Sequence, residues 1–387
     1  MKILFNCILA GLCLFYFGCS SLKNSTANTR GQIENVGKKA SDELTAADLH
    51  PYGRYVVNEA RNLELISSAV NFGFTFQGKE CRLQVSLPNK SGHNYLQYEL
   101  DGTYQKRIKI EGNGTQPIVL TAPAEGTHTV WIYKATEAHT GAIVVEKITG
   151  KNLRPVKYAA PAIEFIGNSI TCGAAADPSE VPCGTGVYHD QHNAYYAYGP
   201  RVARELKTNF ILSSVSGIGA YRNWNSDGPA MPQVYEKADF QDKNPRLWNF
   251  GLFTPAVVSI ALGTNDFSNG DRVKKRLPFD SAAFVNSYIS FVQMVKSKYS
   301  KAQIALLSSP MLNGKSRTLL QNCLTAIKQK IDALHPGDRQ VAVHFFEPMQ
   351  AHGCSGHPNV EDHGILAAEL VPFFKKLLDQ PHATAAR

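Results

Sequence analysis

The stretch Ala162-Ile163-Glu164-Phe165-Ile166-Gly167-Asn168-Ser169-Ile170-Thr171-Cys172-Gly173 runs an apolar segment into a tight turn that ends on a serine. Ile163, Phe165 and Ile166 are strand formers, so the segment reads as a buried strand. Gly167 permits close packing or an unusual backbone angle just before the serine. A serine at the carboxyl end of a strand in an open parallel sheet lies where such sheets bind ligands. The competing reading is a strand followed by an ordinary Ser/Thr turn, and the surrounding chain decides between the two.

Downstream, strand and helix patterns alternate. Phe210–Val215, Val257–Leu262, Ile304–Leu307 and Val341–Phe346 are short apolar runs of buried-strand type. Between them Phe284, Tyr288, Phe291 and Val295 recur at helical spacing, as do Leu320, Leu324, Ile327, Ile331 and Leu334, and Leu366, Leu370, Phe373 and Leu377. Each set is one apolar helix face. Such alternation predicts an α/β domain with a parallel sheet covered by helices on both sides, spanning residues 157–387. Residues 217–256 form a long connection with little periodicity, as functional loops often do.

Upstream the pattern is β. Phe72-Gly73-Phe74-Thr75-Phe76 and Leu83-Gln84-Val85-Ser86-Leu87 alternate. Short runs at Tyr95–Leu100, Arg107–Ile110, Ile118–Leu120 and His128–Tyr133 follow, separated by turn residues. An antiparallel β-sandwich domain is expected over residues 47–156, ending near Pro155.

The first nineteen residues form a targeting signal: Lys2, then an almost wholly apolar run from Ile3 to Phe17, then Gly18-Cys19. A small residue before a cysteine at the end of an apolar run resembles a bacterial lipoprotein signal. That resemblance makes Cys19 the lipidated first residue and places the protein in the cell envelope, periplasmic or surface-facing. A plain secretory peptide is the alternative. Polar residues 20–46 are expected to be a flexible tether. Any membrane association is then through the lipid.

The 387-residue chain is 43% hydrophobic and 19% charged, enough for two domains with their own cores. Its net charge of +8 is scattered, with no basic run interleaved with aromatics, so a nucleic-acid partner is not indicated. Of eight cysteines, Cys7 and Cys13 leave with the signal and Cys19 carries lipid. Cys81, Cys172, Cys183, Cys323 and Cys354 remain, an odd number in an oxidising compartment, so at least one is free. Cys172 and Cys183 bracket a loop and either pair or stay reduced. No cysteine spacing reads as a zinc site. The histidines of Tyr188-His189-Asp190-Gln191-His192 lie in a turn-rich stretch that rarely holds metal. Neither metal nor other cofactor is expected.

Three further stretches fall, like Ser169, at carboxyl ends of strands: Ser214–Gly219, Leu262–Asp266 and Gly353–Pro358. A parallel sheet brings these ends to one edge. Serine, a glycine turn, an asparagine and a histidine thereby converge, which is what acyl transfer needs. Serine requires a base to take its proton, and histidine suits the task near neutral pH. The tetrahedral oxyanion needs fixed donors, which the amides of Ser169 and Gly217 and the side chain of Asn265 can supply.

Gly167–Thr171, Gly217, Gly263-Thr264-Asn265-Asp266 and His357-Pro358, in that order, resemble the four sequence blocks of the SGNH (GDSL-type) hydrolases. From about Leu49 onward the chain is similar to carbohydrate esterase family 2, whose members join an amino-terminal β-sandwich of jelly-roll type to an SGNH domain with a flavodoxin-like sheet. The resemblance implies removal of O-acetyl groups from polysaccharides such as xylan or mannan. It assigns Ser169 as nucleophile, His357 as base, and Gly217 and Asn265 as oxyanion donors. Thr171 stands where a G-x-S-x-G elbow has its second glycine, which weakens the α/β-hydrolase alternative.

Two positions depart from the pattern. Many SGNH enzymes place an Asp three residues before the base; here that position is Cys354. Family 2 esterases also lack it, and the resemblance implies a Ser-His dyad oriented by a backbone carbonyl. Gly356 stands where the family often has a tryptophan, so Trp224 and Trp248 are candidates to supply a wall of the substrate site. Other esters, such as lipids, and a non-catalytic polysaccharide-binding role are the alternatives. The polar, aromatic run Tyr221–Asn225 favours sugar. A monomer is expected.

Overall fold

Alternating side chains build the first half of the chain. Phe72, Phe74 and Phe76 are fully buried on one face of a sixteen-residue strand, Asn71–Ser86. A second sixteen-residue strand, Ile143–Tyr158, pairs along it antiparallel. The first half of Asn71–Ser86 also pairs with Thr127–Lys134 and its second half with Gln116–Thr121, so the long strand serves two neighbours in turn. The ten strands seen among the described residues of this domain join one antiparallel network around a core that includes Leu63, Leu83, Val85, Leu96, Ile132 and Ile148.

This computed structural model describes residues 32–380 apart from residues 37, 38, 90, 91, 113, 272, 274 and 275. The signal expected over residues 1–19 and its Cys19 lipidation site, both read from sequence, lie outside the described residues. Part of the expected tether, residues 20–46, is instead built into the sheet. Ile33–Asn35 and Ser41–Leu44 are strands that pair with Ile143–Tyr158. Leu44 is buried and Asp42 accepts the Asn152 amide. The polar Ser41-Asp42-Glu43 run carries no strand pattern, and it is held instead by the exposed backbone of its neighbour. Strand pairing also carries the β domain to Tyr158, two residues beyond the expected end.

The second half contains five parallel strands: β1 (Ala162–Gly167), β2 (Asn209–Ser214), β3 (Pro255–Ala261), β4 (Gln303–Leu307) and β5 (Ala342–His344). Their spatial order is β2-β1-β3-β4-β5, the flavodoxin-like order. Helices α1 (Tyr198–Glu205) and α4 (Val360–Asp379) cover one face. There Ile163 and Phe165 meet Val202, Leu366, Leu370 and Phe374. Helices α2 (Ser281–Lys298) and α3 (Gly314–Leu334) cover the other, where Ile166, Val258 and Ile260 meet Phe284, Phe291, Leu320 and Leu324. The periods of two and of three to four read from the sequence therefore correspond to these layers.

The two domains share their cores. Ile66 and Ala138 of the β domain pack into the α2–α3 side, and Trp131 and Tyr133 into the α1–α4 side. Arg54 of the β domain is fully buried beside Glu164 of β1, with 3.8 Å between them. Its guanidinium lies 4.9 Å from the Trp248 ring centre and 5.0 Å from that of Tyr235. Trp248 thus belongs to the domain junction and is only 5% exposed, which removes it from the substrate-facing candidates. An aromatic in a loop reads alike in sequence whether it faces solvent or, as here, covers a buried cation.

Candidate active site

Ser169 opens the first helical turn after β1, and Asn168 caps that turn by accepting the Ile170 amide at 3.1 Å. Gly167 is needed for close approach, since a Cβ there would stand 2.0 Å from Thr171 Oγ1. Ser169 therefore emerges where the sheet order reverses, between β1 and β3.

His357 arrives from the loop before α4. Its Nε2 lies 2.9 Å from Ser169 Oγ, and its Nδ1 lies 3.2 Å from the Ser355 carbonyl oxygen. A proton on Nδ1 donated to that carbonyl leaves Nε2 free to accept from the serine hydroxyl. Among the described residues no carboxylate takes the place of this carbonyl. Asp362 is occupied elsewhere, accepting from the amides of His352 and Asn359 and pairing with His352 Nδ1 at 2.9 Å. Burial, and then the nearby His192, lower the pKa of His357 from the ordinary imidazole value.

Cys354 is bonded to Cys183. The Cys172–Cys183 pairing raised by the sequence is thereby excluded. Cys172 is buried and free, with its sulfur 3.2 Å from Ser214 Oγ. The disulfide ties the histidine loop to residues 177–187, and the Cys354 amide donates to Ala175 O at 2.9 Å. Cys183→Ser and Cys354→Ala should lower stability equally, each by about 2–4 kcal/mol, and the double variant by no more than either. Denaturant unfolding of the three variants checks this. Turnover per folded molecule should persist, because the Ser355 carbonyl still orients His357.

Gly217 adopts φ +76°, a left-handed angle that favours glycine, in the turn after β2. Asp266 fixes that loop by accepting the amides of Ala220, Tyr221 and Arg222. Asn265 donates from Nδ2 to the Ile218 carbonyl at 2.7 Å, which leaves its second amide hydrogen for another acceptor. Trp224 is 41% exposed, and its amide donates to Gly217 O at 2.8 Å, so this candidate does sit beside the glycine turn. Tyr188 borders both His357 and the same turn. Its hydroxyl is 3.5 Å from His357 Nε2 and 3.4 Å from Ser216 Oγ. The sequence reading missed Tyr188 as a neighbour of the base, because only the fold brings residues 169 positions apart together.

The histidines of residues 188–192 diverge. His192 faces Glu137, with 3.2 Å between Nε2 and the carboxylate, while His189 lies against His93. Among the described residues, His93, His189 and Asp190 are the group whose potential ligand atoms gather within 4.8 Å. His93 and Asp190 already pair directly at 2.5 Å.

Residues 165–364 match the family model for the GDSL-like lipase/acylhydrolase family, and residues 52–156 match that for the amino-terminal domain of carbohydrate esterase 2. The chain belongs to the GDSL-like lipase/acylhydrolase family, as a carbohydrate esterase of family 2. It is 24% identical to an acetylxylan esterase/glucomannan deacetylase of Cellvibrio japonicus over 98% of this chain and all of that one. A second Cellvibrio japonicus protein of the same description is 28% identical over 88% of this chain and 94% of its own. A solved family two carbohydrate esterase from Clostridium thermocellum, in complex with cellohexaose, superposes with a TM-score of 0.73 at 26% identity. It covers 85% of this chain and 98% of its own. The two-domain fold is that of family 2 esterases, and the chain is a carboxylic ester hydrolase.

Proposed function

We propose that this enzyme removes O-acetyl groups from plant-type polysaccharides such as xylan or mannan through a Ser169–His357 dyad. The 2.9 Å contact between Ser169 Oγ and His357 Nε2 carries the proposal. As Oγ attacks the acetyl carbonyl, its proton passes to Nε2. The oxyanion is held by the Ser169 and Gly217 amides and by the second Nδ2 hydrogen of Asn265. When the tetrahedral species collapses, the sugar oxygen leaves with the proton from His357. Water then repeats the sequence on acetyl-Ser169, and acetate departs.

Substrate class follows from what flanks the dyad and from the relatives. Exposed Tyr188 and Trp224 offer aromatic surface near the dyad and the glycine turn, and the Tyr221–Asn225 run that carries Trp224 also holds the polar Arg222, Asn223 and Asn225. Sugar rings stack on such faces, whereas a lipid acyl chain needs an apolar trough. Aryl esters of increasing chain length test the choice. Acetyl should be hydrolysed far faster than octanoyl, and acetylated glucomannan or xylan should release acetate. Preference for octanoyl would favour a lipase, and inactivity on every acetyl ester a polysaccharide-binding protein.

A further inference from the structure

Glu137 belongs to the β domain, in the turn after strand Thr127–Lys134. Its side chain nevertheless ends beneath the catalytic loop of the other domain. One carboxylate oxygen accepts the Ser216 amide at 2.7 Å. Ser216 directly precedes Gly217, whose amide is one of the assigned oxyanion donors. The other oxygen lies 3.2 Å from His192 Nε2. His192 Nδ1 accepts the Ala175 amide at 3.3 Å, which leaves its ring proton on Nε2, aimed at Glu137. The His192 ring in turn packs edge-on against Tyr188, 4.7 Å between centres, and Tyr188 borders His357.

The turn that presents Glu137 is itself braced. Buried Lys134 donates from Nζ to the carbonyls of Thr136 and Glu137, at 3.0 and 2.7 Å. Ala194, two residues beyond His192, donates its amide to Ala135 O at 3.0 Å. Burial opposes charge on Glu137, but the His192 ring and the Ser216 amide outweigh it and hold the carboxyl down to about 2. A buried carboxylate so completely partnered by donors is a rigid post rather than a mobile acid.

We propose that Glu137 is a positioning residue of the esterase site, supplied by the β domain, which fixes the Ser216–Gly217 backbone and so aims the Gly217 amide at the oxyanion. The inference rests on the esterase reading above. It also gives the amino-terminal domain a part in catalysis. Both carboxylate oxygens face donors, Ser216 N–H and His192 Nε2–H. Glutamine has one acceptor oxygen, so Glu137→Gln must lose one of these bonds while keeping its shape. Glu137→Asp keeps the charge but withdraws it by one methylene.

The test uses the full mature chain, an aryl acetate and a boronic acid, whose tetrahedral adduct on Ser169 places an oxygen in the oxyanion site. Glu137→Gln should lower kcat by up to about 10²-fold, the scale of a misplaced donor, with little change in KM. Boronate inhibition should weaken by the same factor, and Glu137→Asp should fall between Gln and wild type. A merely structural role would lower the melting temperature yet leave kcat per folded molecule and boronate affinity unchanged, and that result overturns the proposal. Wild-type protein inactive on all acetyl esters would instead overturn the esterase reading. An active wild type, dead Ser169→Ala and fully active Glu137→Gln would overturn only the role of Glu137.

Discussion

Ser169→Ala should abolish hydrolysis of an aryl acetate, by roughly 10⁴–10⁶-fold, while the protein still folds and still binds polysaccharide. The size of the loss follows from chemistry that nothing else in the site can replace. In the proposed mechanism Oγ is the atom that bonds to the acyl carbon, and the hydrogen-bond neighbour of Ser216 Oγ is the exposed Tyr188 hydroxyl, not a base. Folding should be spared because the hydroxyl bonds to His357, itself part of the candidate site. Asn168 still caps the helical turn through Ile170, and Gly167 still packs on Thr171. Initial rates, melting temperature and polysaccharide binding, measured on one preparation, check all three parts. A variant that kept near wild-type rates would remove Ser169 from the chemistry.

Why the Ser169–His357 pair can be read from sequence, and the Glu137–Ser216 contact cannot, comes down to where their constraints lie. Ser169 follows a strand whose apolar run is local, and its block has fixed neighbours in Gly167 and Asn168. The helices carrying Phe284 to Val295 and Leu320 to Leu334 announce themselves by period for the same reason. Glu137 is one carboxylate in a β turn, and its meaning comes from Ser216, 79 positions away in the other domain. Cys183 and Cys354 are 171 residues apart, and pairing is set by how two loops meet at the site edge. Trp248 misled because burial against Arg54 has no local signature. Strands Ile33–Asn35 and Ser41–Leu44 escaped because backbone pairing, rather than their mostly polar side chains, forms them.

His357→Ala should lower kcat on an aryl acetate by roughly 10²–10⁴-fold, with the fold retained. On the proposed mechanism, loss of His357 leaves the Ser169 hydroxyl without a proton acceptor, though the proposed oxyanion donors stay in place. What orients the imidazole also sets the pH dependence. The Ser355 carbonyl fixes the Nδ1–H tautomer, yet a neutral carbonyl stabilises imidazolium less than a carboxylate does. Asp362 is committed to His352 and Asn359, and Cys354 to Cys183, so neither supplies that charge. Burial and His192 push in the same direction, lowering the His357 pKa below the ordinary 6.5. The base is active when neutral. As pH falls, a lowered pKa keeps it neutral longer, so the acidic limb of kcat/KM for wild type should lie below pH 6.5. A limb above that value would mean that a negative group stabilises imidazolium after all. Full turnover in a folded His357→Ala variant would show that another base serves Ser169.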